Sequence, residues 1–257
     1  MRRCAAPSSG FGGMDTSRAS PVVDRTGGSP IPTLPTRVAV VAALEREITP
    51  FVKRWPQRVR EYDGRSFRIF EKDGNVVVAG GVGAEAARRA AEAMIELYHP
   101  ELVISAGFAG ALDPALVVGD TLTPSQVIDA ADGSRMDSGS GSGVLITFDT
   151  VADAEQKARF ASAFGAHAID MEAAAVGKAA QAHGIKFLAC KVISDSSRES
   201  LPPLAKFIGT DGRFQTGKFV RHIAVRPWKW AAVRRLAKDS MKAARALGLV
   251  LERHSRG

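Results

Sequence analysis

The stretch VVVAGGVGAEAARRAAEAMIELYHPELVISAGFAG (76–110) contains the alternation that decides the fold. Asn75–Ala79 reads as a buried strand, and Gly80-Gly81-Val82-Gly83 as a tight turn. Ala84–Tyr98 has strong helix formers at helical spacing, stopped by Pro100. Leu102–Ser105 is the next strand, followed by a second glycine turn, Gly107-Phe108-Ala109-Gly110. Strand, helix and strand in this order make a βαβ unit, and the pattern continues on both sides. Upstream lie a strand at Val38–Val41, a helix from Glu45 to about Trp55, and a strand at Phe67–Glu71 joined to Asn75–Ala79 by the turn Lys72-Asp73-Gly74. Downstream come extended chain at Asp120–Ile128, a strand at Val144–Thr147, a helix at Asp153–Phe164 and a short strand at Ala166–Asp170. A helix at Ala173–His183, stopped by Gly184, and a strand at Phe187–Ser194 complete the series. This alternation predicts an α/β fold: a single domain with a central mixed, mostly parallel sheet flanked by helices.

The flanking segments differ in character. Residues 1–36 are rich in Ser, Gly, Pro and Arg without hydrophobic periodicity, which predicts a disordered extension; Met14 is an alternative start. Residues 37–257 form the expected domain, with a basic helical segment over about 217–254 that Pro227 should break. Residues 132–143, DGSRMDSGSGSG, read as a flexible surface loop. The 257 residues, 45% apolar and 24% charged, exclude a collagen, a disulfide miniprotein and a disordered chain. No apolar run is long enough to span a bilayer, and Cys4 and Cys190 cannot form a disulfide framework, so a reduced, cytoplasmic protein is expected. The net charge of +8 is local. Residues 213–257 carry twelve Lys and Arg against Asp239 and Glu252, an excess of ten that leaves the other 212 residues at −2. No nucleic-acid reader motif accompanies this charge, so nucleic acid is not an expected partner.

In open α/β sheets ligands sit beyond the carboxyl ends of the strands. The positions to inspect are therefore Glu45 and Glu47, Gly81 and Gly83, Gly107 and Gly110, Met171 and Glu172, and Asp195. Three of these five strand ends offer a carboxylate, which suits recognition of hydroxyl and nitrogen groups better than phosphate. Gly81-Val82-Gly83-Ala84 resembles a dinucleotide fingerprint, but Leu102–Ser105 is not followed by the acid that would hold a ribose, so a structural turn is preferred. Gly107–Gly110 is either backbone geometry or a floor for a flat ligand. Glu172 either answers the dipole of the helix that follows or holds a vicinal diol with its two oxygens. Asp195 either caps the chain after its strand or acts on a ligand. The five histidines show no ligand spacing, and neither metal nor cofactor is expected.

Five segments together resemble the purine nucleoside phosphorylase and nucleosidase superfamily, in its methylthioadenosine/S-adenosylhomocysteine nucleosidase branch. They are VAVVAALEREI (38–48), VVVAGGVGAEAA (76–87), ELVISAGFAGALDPALVVGDTL (101–122), AIDMEAAAV (168–176) and FLACKVISDSS (187–197). The resemblance implies catalytic roles for Asp195, Glu47 and Glu172. Asp195 would protonate N7 of the purine, Glu47 would activate a water, and Glu172 would hold the ribose hydroxyls. It also implies that Met171 packs on the sugar, and that Gly107, Phe108, Gly110, Gly81, Val151 and Ala152 border the nucleoside. The implied activity is hydrolysis of the N-glycosidic bond of a 5′-substituted adenosine with release of adenine. A phosphorylase is less favoured, since Glu47 would repel an anion. To act as an acid Asp195 must carry a proton, and burial favours a neutral carboxyl. A homodimer is implied by the family. Alternatives are a purine nucleosidase or phosphorylase acting on adenosylhopane, and a non-catalytic nucleoside-binding or membrane-associating protein.

The chain departs from that pattern in places. The 132–143 segment is shorter than the family's insertion. Val151 stands where the family stacks an aromatic on the purine, with Phe148 the nearest substitute. Phe108 replaces a small polar residue. The tail is similar to a hopanoid-associated subgroup. Val233, Leu236, Ala237, Ser240, Met241, Ala244, Leu247 and Leu251 form one helical face, with Arg234, Arg235, Lys238, Lys242 and Arg245 largely elsewhere. With Trp228 and Trp230 at its start, this helix either contacts an anionic membrane surface or docks on the domain, the second being preferred.

Overall fold

The sheet is organised around one long strand, β5 (Leu102–Ala111), which is hydrogen-bonded along both edges. The computed structural model describes residues 38–139, 141–199 and 230–255, together with 207, 209, 212, 215 and 218; of 230–233, 236 and 255 only the backbone is described. The N-terminal extension, Trp228 and the expected break at Pro227 lie outside the described residues. β1 (Val38–Ala42) pairs parallel with the first half of β5, and β11 (Lys186–Asp195) runs parallel along its other edge. β4 (Asn75–Ala79) extends the parallel group beyond β1. Past Ser105, β10 (Ala168–Asp170) takes over the edge that β1 leaves and pairs antiparallel with Gly110 and Ala111.

Valine and isoleucine alternation explains how this sheet is covered on both faces. Ala39 and Val41 of β1, Val76 and Val78 of β4, Val103 of β5 and Ala189 of β11 face one core. The intervening Val40, Val77, Ile104 and Cys190 face the other. The first core is closed by α2 (Ala84–Tyr98) and α4 (Ala173–Ala182), rich in buried alanine that brings helix backbone close to the sheet. α1 (Glu45–Val52) and α5 (Trp230–Ser255) close the second, where Ile48, Phe51 and Val52 meet Ala243, Leu247 and Leu251. A third cluster lies under α3 (Ala154–Phe164), whose N-cap Asp153 accepts from the Gln156 amide.

Several expectations are revised. β2 (Gln57–Tyr62), absent from the sequence reading because it is polar and largely exposed, pairs antiparallel with β3 (Arg65–Lys72) at the sheet edge. β3 in turn pairs antiparallel with β4 through the expected hairpin. The second glycine run is not a turn, because β5 continues through it to Ala111. Nor is DGSRMDSGSGSG simply a surface loop. Its Arg135–Asp137 forms β8, paired with β7 (Gln126–Asp129), and Met136 is buried. The buried Ser138 hydroxyl there accepts a hydrogen bond from the Ala189 amide at 2.7 Å. β6 (Thr121–Leu122) pairs with β11, and β9 (Val144–Thr147) pairs parallel with β7 and β10. The sheet is therefore mixed, with its parallel centre formed by β4, β1, β5 and β11.

The C-terminal helix is docked along its second half. Ala243, Ala244, Leu247 and Leu251 are buried, while Arg234, Arg235, Lys238, Lys242 and Arg245 are exposed. Met241, expected on the apolar face, is 58% exposed and Ala237 is exposed, because the docked stripe is narrower than the apolar pattern. Among the described residues no helix is long and apolar enough to cross a membrane. Replacing Leu247, which is fully buried, with Ala should destabilise the fold by about 2–5 kcal/mol, whereas Met241→Ala should change it by less than about 0.5 kcal/mol. Urea denaturation of the two variants checks this; equal small effects would mean that the helix is not part of the core.

Candidate active site

The parallel centre of the sheet brings its strand ends together around one cavity. Its wall includes Leu44, Arg46 and Glu47 after β1, Val82 after β4, Phe108 to Gly110 of β5, and Asp170 to Glu172 at the end of β10. Thr150, Val151 and Ala152 ahead of α3, Lys157 of α3, Ser194 and Asp195 of β11, and Ser240 of α5 also line it. Eight of the ten sequence-selected site residues thus meet here: Asp195, Glu47, Glu172, Met171, Phe108, Gly110, Val151 and Ala152. Gly107 and Gly81 are not among the lining residues. A Cβ on Gly107 would lie 3.1 Å from Glu47 Oε2, so a side chain there would press on that carboxylate. Gly81, at φ +113°, packs against Ala86 and the backbone of Gly212.

Each carboxylate is held by a different device. Glu47 lies in the first turn of α1 and reaches back to the helix start, where Oε2 accepts from the Ala43 and Leu44 amides at 3.2 and 3.1 Å. Burial raises its pKa above the ordinary value despite those bonds and the attraction of Lys191 and Arg46. Glu172 does not cap α4 with its side chain, as the dipole reading allowed. Asp170 and Thr147 do so, accepting from the Ala173 and Ala174 amides at 2.8 and 3.0 Å. Glu172 turns instead to the α2 start, where Oε1 accepts from the Gly83 amide at 2.9 Å. That bond occupies an amide that a dinucleotide phosphate would need, and glycine is favoured at 83 by its φ of +95°. Burial and the neighbouring Asp170 push Glu172 up to about 8.

Asp195 is placed by a bulge. Ile193 pairs with Ala109 and Asp195 with Gly110, so Ser194 is an extra residue. A bulge of this kind re-aims the side chain that follows it. A Cβ on Gly110 would stand 2.9 Å from Asp195 Oδ2, so the carboxylate position requires glycine at 110. Ser194 Oγ donates to Asp195 Oδ1 at 2.7 Å, and Lys157 Nζ donates to Oδ2 at 2.5 Å. A buried ammonium therefore adjoins the Asp195 carboxylate.

Two lysines were missed by the sequence reading. Lys191 is 1% exposed and bonds Asp170 Oδ2 at 2.8 Å and Ser105 Oγ at 3.0 Å. Burial lowers its pKa, but Asp170, Glu172 and Glu47 outweigh that, and the net shift is upward. A charged residue inside the apolar run 187–194 was the available signal, because a buried charge requires a partner. Lys157 gave no such signal, since lysines are ordinary on amphipathic helices. The aromatic substitute also fails: Phe148 packs on Phe160, ring centroids 4.9 Å apart, and does not line the cavity. Among the described residues, no group of three or more His, Cys, Asp or Glu could hold a metal ion.

With the fold and site in view, comparison with known proteins defines the class. The sequence profile of the phosphorylase superfamily matches residues 34–155 and 140–211, and the chain belongs to that superfamily. Among individual relatives, the 5′-methylthioadenosine/S-adenosylhomocysteine nucleosidases of Marinomonas sp. (strain MWYL1) and Staphylococcus epidermidis are 32% and 30% identical over 95 residues. The matched stretch is 35% of this chain and 41% of either relative. Helicobacter pylori futalosine hydrolase has the same fold, with a TM-score of 0.65 at 18% identity over 85% of this chain and 96% of that one. So has the H. pylori methylthioadenosine/S-adenosylhomocysteine nucleosidase solved with 5′-methylthioadenosine in its active site, at 0.63 and 17% over 86% and 100%.

The Glu172 shift has a measurable consequence. Between its ordinary value of 4.5 and about 8, the folded protein keeps a proton there that the unfolded chain has released. Stability should therefore fall as pH rises through that window, and Glu47 acts in the same sense. Glu172→Gln should gain stability relative to wild type between pH 5 and pH 8, read as the difference in melting temperature. A difference that stays constant with pH would contradict this.

Proposed function

We propose that the protein hydrolyses the N-glycosidic bond of a 5′-substituted adenosine of the methylthioadenosine/S-adenosylhomocysteine type, releasing adenine. The observation that carries this reading is the convergence of Glu47, Glu172 and Asp195 on one cavity, each from a different strand end. N-glycosidic cleavage develops positive charge on the ribosyl ring and negative charge on the departing base. Buried carboxylates stabilise the first, and a proton delivered at N7 relieves the second. Glu172 offers two oxygens for the 2′ and 3′ hydroxyls. Glu47, whose pKa burial raises, is a stronger base than an ordinary carboxylate and is suited to accept a proton from water. Asp195 adjoins the base. Met171 packs on the sugar, and Val151 and Ala152 border the purine. An acid-rich wall favours water over phosphate as nucleophile. The named relatives and fold neighbours are hydrolases of nucleosides, which supports this choice.

A second reading enlarges the 5′ substituent to a lipid such as the hopane of adenosylhopane. The observation favouring it is Ser240, which brings α5 to the cavity wall beside the exposed Met241 and the exposed cationic face.

Purified protein incubated with methylthioadenosine or S-adenosylhomocysteine should release free adenine without phosphate. Glu47→Gln and Asp195→Asn should each lower kcat by about 10²–10⁴-fold. Release only with phosphate would overturn the assignment of water as nucleophile. If both nucleosides fail while 5′-long-chain-alkyl adenosines are cleaved, the lipid reading replaces the first.

A further inference from the structure

Lys157 is the only described buried residue of α3, a helix whose other side chains are at least partly exposed. Its ammonium group has three N–H donors, and three acceptors surround it: Asp195 Oδ2 at 2.5 Å, Ser196 O at 2.8 Å and Glu199 O at 2.9 Å. Both members of the ion pair are almost fully buried, with side chains 3% and 4% exposed, and both line the cavity. Gly110 leaves the space, since a Cβ there would lie 2.9 Å from Asp195 Oδ2 and 3.3 Å from Lys157 Cε. A tie between α3 and residues 196–199 would need only the two carbonyls. It would not require the ammonium to touch the carboxylate that faces the ligand.

We propose that Lys157 is the positioning residue of the leaving-group acid, holding the Asp195 carboxylate at the base and keeping beside it the proton that Asp195 delivers. This rests on the nucleosidase reading above. In the step it describes, the C1′–N9 bond breaks and its electron pair passes to the purine. N7 takes a proton from Asp195, and Lys157 Nζ gives one to Asp195. The C1′–O bond forms from water, whose proton goes to Glu47. Lys157 is left as a neutral amine, and solvent restores its proton before the next turnover.

The test compares 5′-methylthioadenosine with its N7-methyl derivative, whose purine already carries the positive charge that protonation would supply. Lys157→Arg keeps the cation and the ion pair, but a guanidinium does not give up its proton in proteins. Lys157→Gln removes the charge. Both variants should lose about 100-fold or more in kcat on methylthioadenosine and less than about threefold on the N7-methyl substrate after subtraction of spontaneous cleavage. Melting temperature and adenine binding establish that each variant is folded. Equal losses on the two substrates in both variants, or undiminished activity on methylthioadenosine, would overturn the assignment. If the wild type cleaved neither substrate, the nucleosidase reading itself would fall and this assignment with it. A substrate-independent defect confined to the variants would overturn only the role of Lys157.

Discussion

Four buried carboxylates, Glu47, Asp170, Glu172 and Asp195, line a single cavity with the buried Lys157 ammonium, and a second buried ammonium, Lys191, is bonded to Asp170. Lys191 pairs with Asp170, and Lys157 pairs with Asp195. Two negative charges would remain if every acid were ionised, and a dry interior does not readily hold an uncompensated charge. The excess falls on Glu47 and Glu172, whose carboxyls are held mainly by backbone amides, and both shift toward the neutral form. On the proposed reaction, this tension has a use. A ribosyl cation, which exists only in the transition state, favours the ionised form of these same carboxyls and is stabilised by them.

The backbone places these charges by specific irregularities. β5 carries the sequence Ala106-Gly107-Phe108-Ala109-Gly110 beside the parallel β11 and past the end of its pairing with β1, so the strand is stripped of side chains at two points. Glu47 lies over Gly107, and Asp195 over Gly110. The bulge at Ser194 changes which residue opposes Gly110, and this single extra residue re-aims Asp195. Both glycines thus matter through the carboxylates they admit, with no need for a tight turn.

Much of this was legible because buried parallel strands and alanine-rich helices leave strong periodic patterns. Val38–Val41, Ala84–Tyr98 and Phe187–Ser194 all appear at nearly the expected bounds. β2 was not legible, since an exposed edge strand such as QRVREY buries too little to pattern its residues. β8 was hidden for a different reason. Its flanks are Ser and Gly, and only tertiary contact buries Met136 and bonds Ser138 to Ala189. Glu47, Glu172 and Asp195 could be read because they sit at strand ends and match family motifs. Lys157 could not, because its role depends on a residue 38 positions away that local pattern does not connect.

The departures from the family pattern fit the same charge logic. On the proposed reading, Val151 would supply dispersion to the base but no ring, and stacking there would be weaker than an aromatic would give. Phe148 does not replace it, being engaged with Phe160 under α3. On the proposed reading, recognition of the base must then lean on polar contacts at its edge and on the packing of Ala152 and Met171. The edge nearest Asp195 is the one that must gain a proton for the bond to break. A base held loosely by its face and firmly at that edge gains most of its binding as N7 becomes protonated. Such an arrangement favours the transition state over the bound nucleoside, which is what differential binding requires of a catalyst.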